Sequence, residues 1–277
     1  MATTFATGIT SLKESEQAGT AAAANAMAKM KNKKPDFALI FGSEGHNFKE
    51  AAAGIRKVTG DVPIIGCTSA GEFTEEKVTK GGLACAFIAS DTHRFFLGLG
   101  KNLKKNQVGA IQTASSSLPQ NVKGYPYHSA MLLLDGLAGV GEETVSAAAN
   151  VLGPMVKFSG GAAADNLKFK QTRVFSNNEE ASDAVSLCMM ASRHPIIISV
   201  KHGHKPLSPP LKVTKAIGNV LYEIEGKPAF DIWKEILKEK SKEHGIDVTK
   251  FLNRGQISKL LLKYEAGLSF GNDYKIR

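Results

Sequence analysis

The chain contains two stretches that read as imperfect copies of one another, and this duplication limits its fold more than any single residue does. The first copy runs from Phe37-Ala-Leu-Ile-Phe-Gly through Ile64-Ile-Gly-Cys-Thr-Ser-Ala-Gly-Glu-Phe73 to Gly82-Leu-Ala-Cys-Ala-Phe-Ile-Ala-Ser90. The second runs from Ala130-Met-Leu-Leu-Leu-Asp-Gly through Phe158-Ser-Gly-Gly-Ala-Ala-Ala-Asp-Asn-Leu167 to Ala184-Val-Ser-Leu-Cys-Met-Met-Ala-Ser192. Gly66 aligns with Gly160 and Ser90 with Ser192, so the second copy carries a longer insertion before its last strand. A block that recurs once at this spacing is a supersecondary unit, and two such units pack as one pseudo-symmetric body. Their glycine turns then fall at related places, with room for a ligand between them.

Hydrophobic periodicity fills in the elements. Ser11–Met30 reads as a helix, with Ser11 and Glu14 in capping-box spacing. Phe37–Phe41 reads as a buried strand, Asn47–Val58 as a helix, Val62–Gly66 as a strand. Gly82–Ser90 and Phe95–Gly100 are expected to pair as a hairpin. The second copy follows suit: strand Ala130–Asp135, helix Gly141–Leu152, strand Val156–Gly160, then strands Thr172–Phe175, Ala184–Met190 and Ile196–Val200. The fold class is α/β: two pseudo-repeated strand-helix-strand-hairpin units with mixed β-sheets flanked by helices. The Pro-rich segment Lys205–Pro210 marks a break. Beyond it come a hairpin, Leu211–Ile217 and Val220–Ile224 around Gly218-Asn219, and an amphipathic helix over Ala229–Lys240. The apolar runs Ile257–Leu262 and Tyr274–Ile276 follow without a clear end to the domain.

Composition excludes several classes. No apolar run approaches the length of a membrane span, and the N-terminus lacks a signal-peptide pattern, which makes the cytoplasm the expected location. Cys67, Cys85 and Cys188 are odd in number and lie in apolar surroundings, as reduced buried thiols do. The net charge of +9 comes from scattered lysines without aromatic interleaving, so neither a nucleic acid nor a membrane is an expected partner.

At Gly66-Cys-Thr-Ser-Ala-Gly-Glu, Leu134-Asp-Gly-Leu, Gly160-Gly-Ala-Ala-Ala-Asp-Asn and Val213-Thr-Lys-Ala-Ile-Gly-Asn…Glu225-Gly-Lys-Pro-Ala229 the chain resembles the FIST family. These are sensory proteins named for F-box and intracellular signal transduction. The motifs occur in family order from about Phe37 to Leu237. The resemblance implies a small-ligand sensor working with a signalling protein partner such as a kinase or receptor component, with amino acids as proposed ligands. Some members of the family look like haem-based nitric oxide sensors. Two departures stand out. Ala164-Asp165-Asn166 replaces the family's usual Gly-Asp or Asp-Asp pair, and the chain stops at Tyr274-Lys-Ile-Arg277 where the family normally continues. The implied organisation is a FIST N-terminal region over 1–204, with repeats at about 36–100 and 129–202, and the start of a shortened C-terminal region over 205–277.

The candidate binding residues follow from the two turns. Small residues let backbone amides approach a ligand, and consecutive amides in a turn form an anion-holding nest. Gly66, Cys67, Thr68, Ser69, Gly71 and Glu72 make the first turn; Gly160, Gly161 and Asp165 make the second. Thr68 and Ser69 bring hydroxyls, while Glu72 and Asp165 bring carboxylates for a ligand ammonium, replaceable by alanine without loss of fold. The competing reading is a tight strand exit that needs glycine only for sterics. Asp135 sits at a strand's C-terminal end, where α/β sheets hold ligands, or else caps the following turn. Cys67 has no neighbouring base, which disfavours a Cys-dependent enzyme, and the chain is expected to be non-catalytic. Two residues separate the glycine from the serine in Gly66-Cys-Thr-Ser, where a nucleophile elbow has one. His202 and His204 lack the companions of a metal site, so no metal is expected. No cofactor is expected either; under the haem alternative, His46 is the axial candidate.

Overall fold

The first strand is one that periodicity passes over. Thr4–Thr10 (β1) places Ala6, Gly8 and Thr10 on alternate positions, and Gly8 lies so close to the next helix that a Cβ there would overlap the Ala22 carbonyl. The computed structural model describes residues 3–270 and 273–276, and the chain divides after Ser199 into two units, a few residues before the expected boundary. After β1 come α1 (Ser15–Lys29), β2 (Phe37–Ser43), α2 (Phe48–Thr59), β3 (Ile64–Ser69), a two-stranded ribbon of β4 (Glu72–Phe73) and β5 (Val78–Thr79), and β6 (Leu83–Ala89). The order then recurs: β7 (His93–Lys101), α3 (Gln107–Ser115), β8 (Tyr127–Leu134), α4 (Gly141–Leu152), β9 (Lys157–Ala162), a ribbon of β10 (Val174–Ser176) and β11 (Glu179–Ala181), and β12 (Ala184–Ser192).

The first sheet runs β1-β6-β2-β3 and the second β7-β12-β8-β9, with matching directions. In each, the last strand lies antiparallel between the first strand and the second, and the second and third strands are parallel. This correspondence agrees with the duplication and extends it back to β1. It also corrects the expected hairpin of Gly82–Ser90 with Phe95–Gly100. Both edges of β6 are taken, by β1 and β2, so β7 opens the second sheet and pairs with β12. The expected strand Ile196–Val200 is irregular, with Ile197 and Val200 both 91 % exposed and no pairing to a strand among the described residues.

The two sheets are packed face to face, with a helix pair on each outer side. Along β2, Ala38 and Ile40 face the helices, where they meet Ala18, Ala22, Ala51 and Ile55; Phe37, Leu39 and Phe41 face the opposite sheet. Along β12, Val185 and Leu187 face α3 and α4, while Ala184 and Cys188 face inward. Strands buried on both faces explain why the sequence shows continuous apolar runs rather than alternation. Across the inter-sheet core Phe37 stacks on Phe95, ring centroids 4.7 Å apart.

Helix ends follow local chemistry. The Asn47 side chain accepts from the Lys49 and Glu50 amides at the start of α2. The expected capping box at Ser11 and Glu14 does not form. Here α1 starts at Ser15 with no side-chain cap, and the Ser15 hydroxyl instead accepts from the Asn47 amide.

The second unit is smaller. It contains a sheet of β13 (Val213–Ile217), β14 (Val220–Ile224) and β15 (Lys227–Pro228), then α5 (Ala229–Leu237), α6 (Arg254–Leu261) and a hairpin of β16 (Gly267–Phe270) and β17 (Asp273–Ile276). The Gly218-Asn219 turn joins β13 to β14 as its sequence predicts. The helix expected to reach Lys240 ends at Leu237 and gives way to a 3₁₀ turn over Lys240–His244. Arg277, the end of the expected C-terminal region, lies outside the described residues, as do Met1 and Ala2.

Candidate functional site

The two glycine turns meet. The Ala164 amide donates to the Thr68 carbonyl at 2.9 Å, and the Thr68 amide donates to the Arg173 carbonyl at 3.0 Å. The Thr68 hydroxyl in turn accepts from the Arg173 amide at 3.0 Å. The seam therefore lies at the C-terminal ends of the parallel pairs β2/β3 and β8/β9, where α/β sheets gather ligands. Thr68 is itself buried and used up by this joint. Small groups crowd the rest: Ser69 and Gly71 are half-buried, and Ala70, Gly160, Gly161 and Ala162 are exposed.

Gly66 and Gly160 are twins in geometry. Gly66 pairs with Ile40 and Gly160 with Leu132, and at either glycine a Cβ would overlap the partner's carbonyl oxygen. Gly160 also has a φ of 144°, which favours glycine. A steric demand of this kind is enough to account for both glycines without a ligand.

The three acidic candidates are all buried and engaged within the chain. Glu72, 2 % exposed, accepts from the Ser69 hydroxyl (2.7 Å), the Ser43 hydroxyl (2.8 Å), the Thr79 hydroxyl (3.1 Å) and the Gly82 amide (3.0 Å). Asp135 accepts from the Leu137 amide at 2.9 Å, the Asp183 amide at 2.5 Å and the Thr172 hydroxyl. The two halves thus meet the same need with acid and hydroxyl exchanged. Ser43 ends β2 and binds Glu72, whereas Asp135 follows β8 and binds Thr172; each carboxylate also holds the amide that leads into the last strand. Asp165 accepts from the Phe169 (3.0 Å), Lys170 (2.6 Å) and Gln171 (3.1 Å) amides and so coils the loop in which Asn166, Leu167 and Phe169 take positive φ. Burial pushes the Asp165 carboxyl up, but the amides of Lys170, Gln171 and Phe169 outweigh it and hold the group below its ordinary value. Replacing Glu72 or Asp165 by alanine with the fold untouched is therefore no longer the expectation.

Arg173, Glu180, Glu44 and Lys168 are polar residues of the seam that the sequence reading missed. The Arg173 guanidinium donates to the Glu44 and His46 carbonyls and pairs with Glu180, whose other oxygen accepts from the Phe48 amide at 3.2 Å. Lys168 pairs with Glu44. Arg173 directly precedes β10 and Glu180 is the middle residue of β11, and no local motif marks either of them.

His46 is 2 % exposed, and neither ring nitrogen has a hydrogen-bond partner among the described residues. The Gly81–Gly82 backbone lies near the ring but outside hydrogen-bond geometry. Burial lowers its proton affinity, with nearby Glu72 opposing and Lys13 assisting. Enclosure of this kind does not fit a haem, which needs an open axial face. Cys67 is 3 % exposed, and burial pushes its thiol up to about 12, so it holds no thiolate at neutral pH.

No three His, Cys, Asp or Glu side chains among the described residues are grouped to hold a metal. Nor is any described helix long and apolar enough to cross a membrane. Within the second unit a cavity of about 500 Å³ is lined by His202, His204, Trp233, Leu237 and Tyr264. His202 Nε2 lies 2.7 Å from the Tyr274 carbonyl and His204 Nε2 lies 3.6 Å from Glu265, which ties both imidazoles to protein groups.

Comparison with known proteins places this geometry in context. A stretch of 83 residues is 32 % identical to an uncharacterized protein of Methanocaldococcus jannaschii, covering 30 % of this chain and 16 % of that one. The match thus spans about a sixth of the relative's length. Among solved structures, the cyanuric acid hydrolase from A. caulinodans aligns over 69 % of this chain and 72 % of its own, at 10 % identity and a TM-score of 0.35. A second cyanuric acid hydrolase aligns over 69 % and 70 %, at 12 % identity and a TM-score of 0.34. Likeness at this level carries neither fold nor activity across. The family model described as FIST N domain matches residues 36–227, from the start of the first copy through the hairpin beyond the Pro-rich break. On that match the chain belongs to the FIST family, whose domains act as sensors in signal transduction.

Proposed function

We propose that the chain senses a small polar, amino-acid-like molecule at the seam of the two glycine turns and passes the change to a signalling protein. The observation that carries this reading is the 2.9 Å hydrogen bond from Ala164 to Thr68, which brings two equivalent turns from separate sheets side by side. A molecule held there touches both halves at once, so its binding shifts the balance between seam geometries that differ in energy. Recognition falls to the exposed rim of Ala70, Gly160, Gly161 and Ala162, with half-buried Gly71 behind it and Ser69 as the nearest hydroxyl. Glu72, Asp135 and Asp165 hold that rim in shape, because their oxygens are already bonded within the chain. No turnover is assigned, since Cys67 lacks both a base and a thiolate. The enclosed His46 weighs against haem as the sensing group.

The test is a thermal-shift screen of a metabolite panel, followed by calorimetry of any hit on Gly161→Leu. A Cβ at Gly161 enters open space, so this variant crowds the seam and leaves the fold intact. Affinity should fall at least about tenfold, or roughly 1.4 kcal/mol. Unchanged affinity would move the ligand elsewhere, with the cavity of the second unit next to be examined.

A further inference from the structure

The second half's ribbon, β10–β11, does not stay with its own sheet. It docks on the free edge of β3, so that the first sheet ends β3-β10-β11, while the second sheet stops at β9. In this joint Val174, Phe175 and Ser176 pair antiparallel with Cys67, Gly66 and Ile65. Phe175 is fully buried and stacks against Phe48, centroids 6.0 Å apart.

Both halves of a second joint of this type are present and unmated. The ribbon β4–β5 matches β10–β11 residue for residue: Glu72 pairs with Thr79 as Val174 pairs with Ala181, Phe73 with Val78 as Phe175 with Glu180, and two residues close each turn. Phe73 therefore stands where Phe175 stands, yet it is 78 % exposed, and its neighbour Val78 is 74 % exposed. On the receiving side, Gly160 is the counterpart of Gly66, and among the described residues β9 pairs only with β8. The Ala163 amide points at β8, bonding the Leu134 carbonyl at 2.8 Å, so by strand alternation the Ala162 amide points to the open edge. Thr68, at the corresponding place in β3, uses its outward amide to bond Arg173 in the existing joint.

We infer that the open β9 edge receives the Glu72–Thr79 ribbon of a second copy of this chain, head to tail. Phe73 then pairs with Gly160 as Phe175 does with Gly66, and because Gly160–Ala162 also form part of the proposed ligand rim, ribbon and ligand compete for this edge. A second copy is the favoured occupant because donor and acceptor lie on one chain and repeat a joint that this chain already makes. The same register brings Glu75 and Glu76, which already pair with Lys29 of their own chain, beside exposed Lys157 at the start of β9. The contact is heterologous, so successive copies add head to tail into a ring or an open filament. Backbone pairing along the edge supplies affinity, with Phe73 as the side-chain anchor.

Sedimentation velocity on the full chain tests this with two variants. Phe73→Asp alters an exposed side chain, and Ala162→Pro removes an outward amide that the β8 ladder does not use. Wild type should self-associate, and each variant should do so at least about tenfold more weakly. Mixing the two variants should restore part of the association, since one supplies an intact ribbon and the other an intact edge. Circular dichroism confirms that both remain folded; should Ala162→Pro not fold, Ala162→Asp replaces it in the same mixing experiment. A monomeric wild type, self-association indifferent to Phe73→Asp, or a mixture no stronger than its parts would each overturn the joint.

Discussion

At Glu72 and Asp165, carboxylates that the sequence offers to a ligand are held by the chain itself, and two consequences can be measured. Glu72→Ala removes the shared acceptor of three hydroxyls and the Gly82 amide in a site 2 % exposed. Hydroxyls can rotate toward other acceptors but the amide cannot, so the loss should be about 2–4 kcal/mol in urea denaturation, with Glu72→Gln costing less. Asp165 gives a pH signature. Its carboxyl is held below the ordinary 3.8, so the unfolded chain takes up a proton first as pH falls. The stability it contributes is present above 3.8 and lost as pH drops through the folded value. Asp165→Asn should therefore lower stability at neutral pH and flatten the acid limb of an unfolding free energy measured from pH 7 to pH 3. The turns were legible because glycine spacing is local. The engagement of their acids was not, since Ser43, Thr79 and Gly82 reach Glu72 only after three separate segments converge.

At the scale of elements, close packing takes over from propensity. Helices α1 and α2 approach through Gly19 and Gly54, where a Cβ would overlap the Ala51 and Glu16 carbonyls. Alanine is the better helix former by about 1 kcal/mol, so propensity alone favours Gly19→Ala. Backbone carbonyls cannot step aside as a side chain can, however, and the variant should lose about 1–3 kcal/mol in thermal or urea unfolding. A neutral or stabilised Gly19→Ala would show that the helices can slide apart freely. The same logic explains which elements the sequence reveals. Strands β2, β3, β8 and β12 are buried on both faces and stand out as apolar runs, whereas β1 has a glycine beneath an alanine helix and little apolar pattern. The Phe95–Gly100 run was visible as a strand, but its partner was not. Only the presence of β1 on the far edge of β6 decides that β7 belongs to the second sheet.

Across the whole molecule, core size separates the two units. The first has three clusters of buried side chains, one between the sheets and one under each helix pair. Among the described residues the second has one, built on Ile246, Val248, Leu252 and Leu260 with Trp233, Ile257 and Tyr264 packed against it. A smaller core buries a smaller share of its surface and leaves less stability after chain entropy is met. The single tryptophan makes this difference observable. Trp233 donates its indole N–H to the Tyr264 carbonyl at 3.0 Å and stacks on Phe230, so its fluorescence reports the second unit alone. Far-UV circular dichroism draws most of its signal from the first unit. In urea, the fluorescence midpoint should come below the dichroism midpoint, because the smaller unit unfolds first. A chain ending at Ser199 should keep the later transition and have no tryptophan signal. Coincident midpoints in the full chain would mean instead that the two units unfold as one cooperative body, with the second drawing its stability from the first.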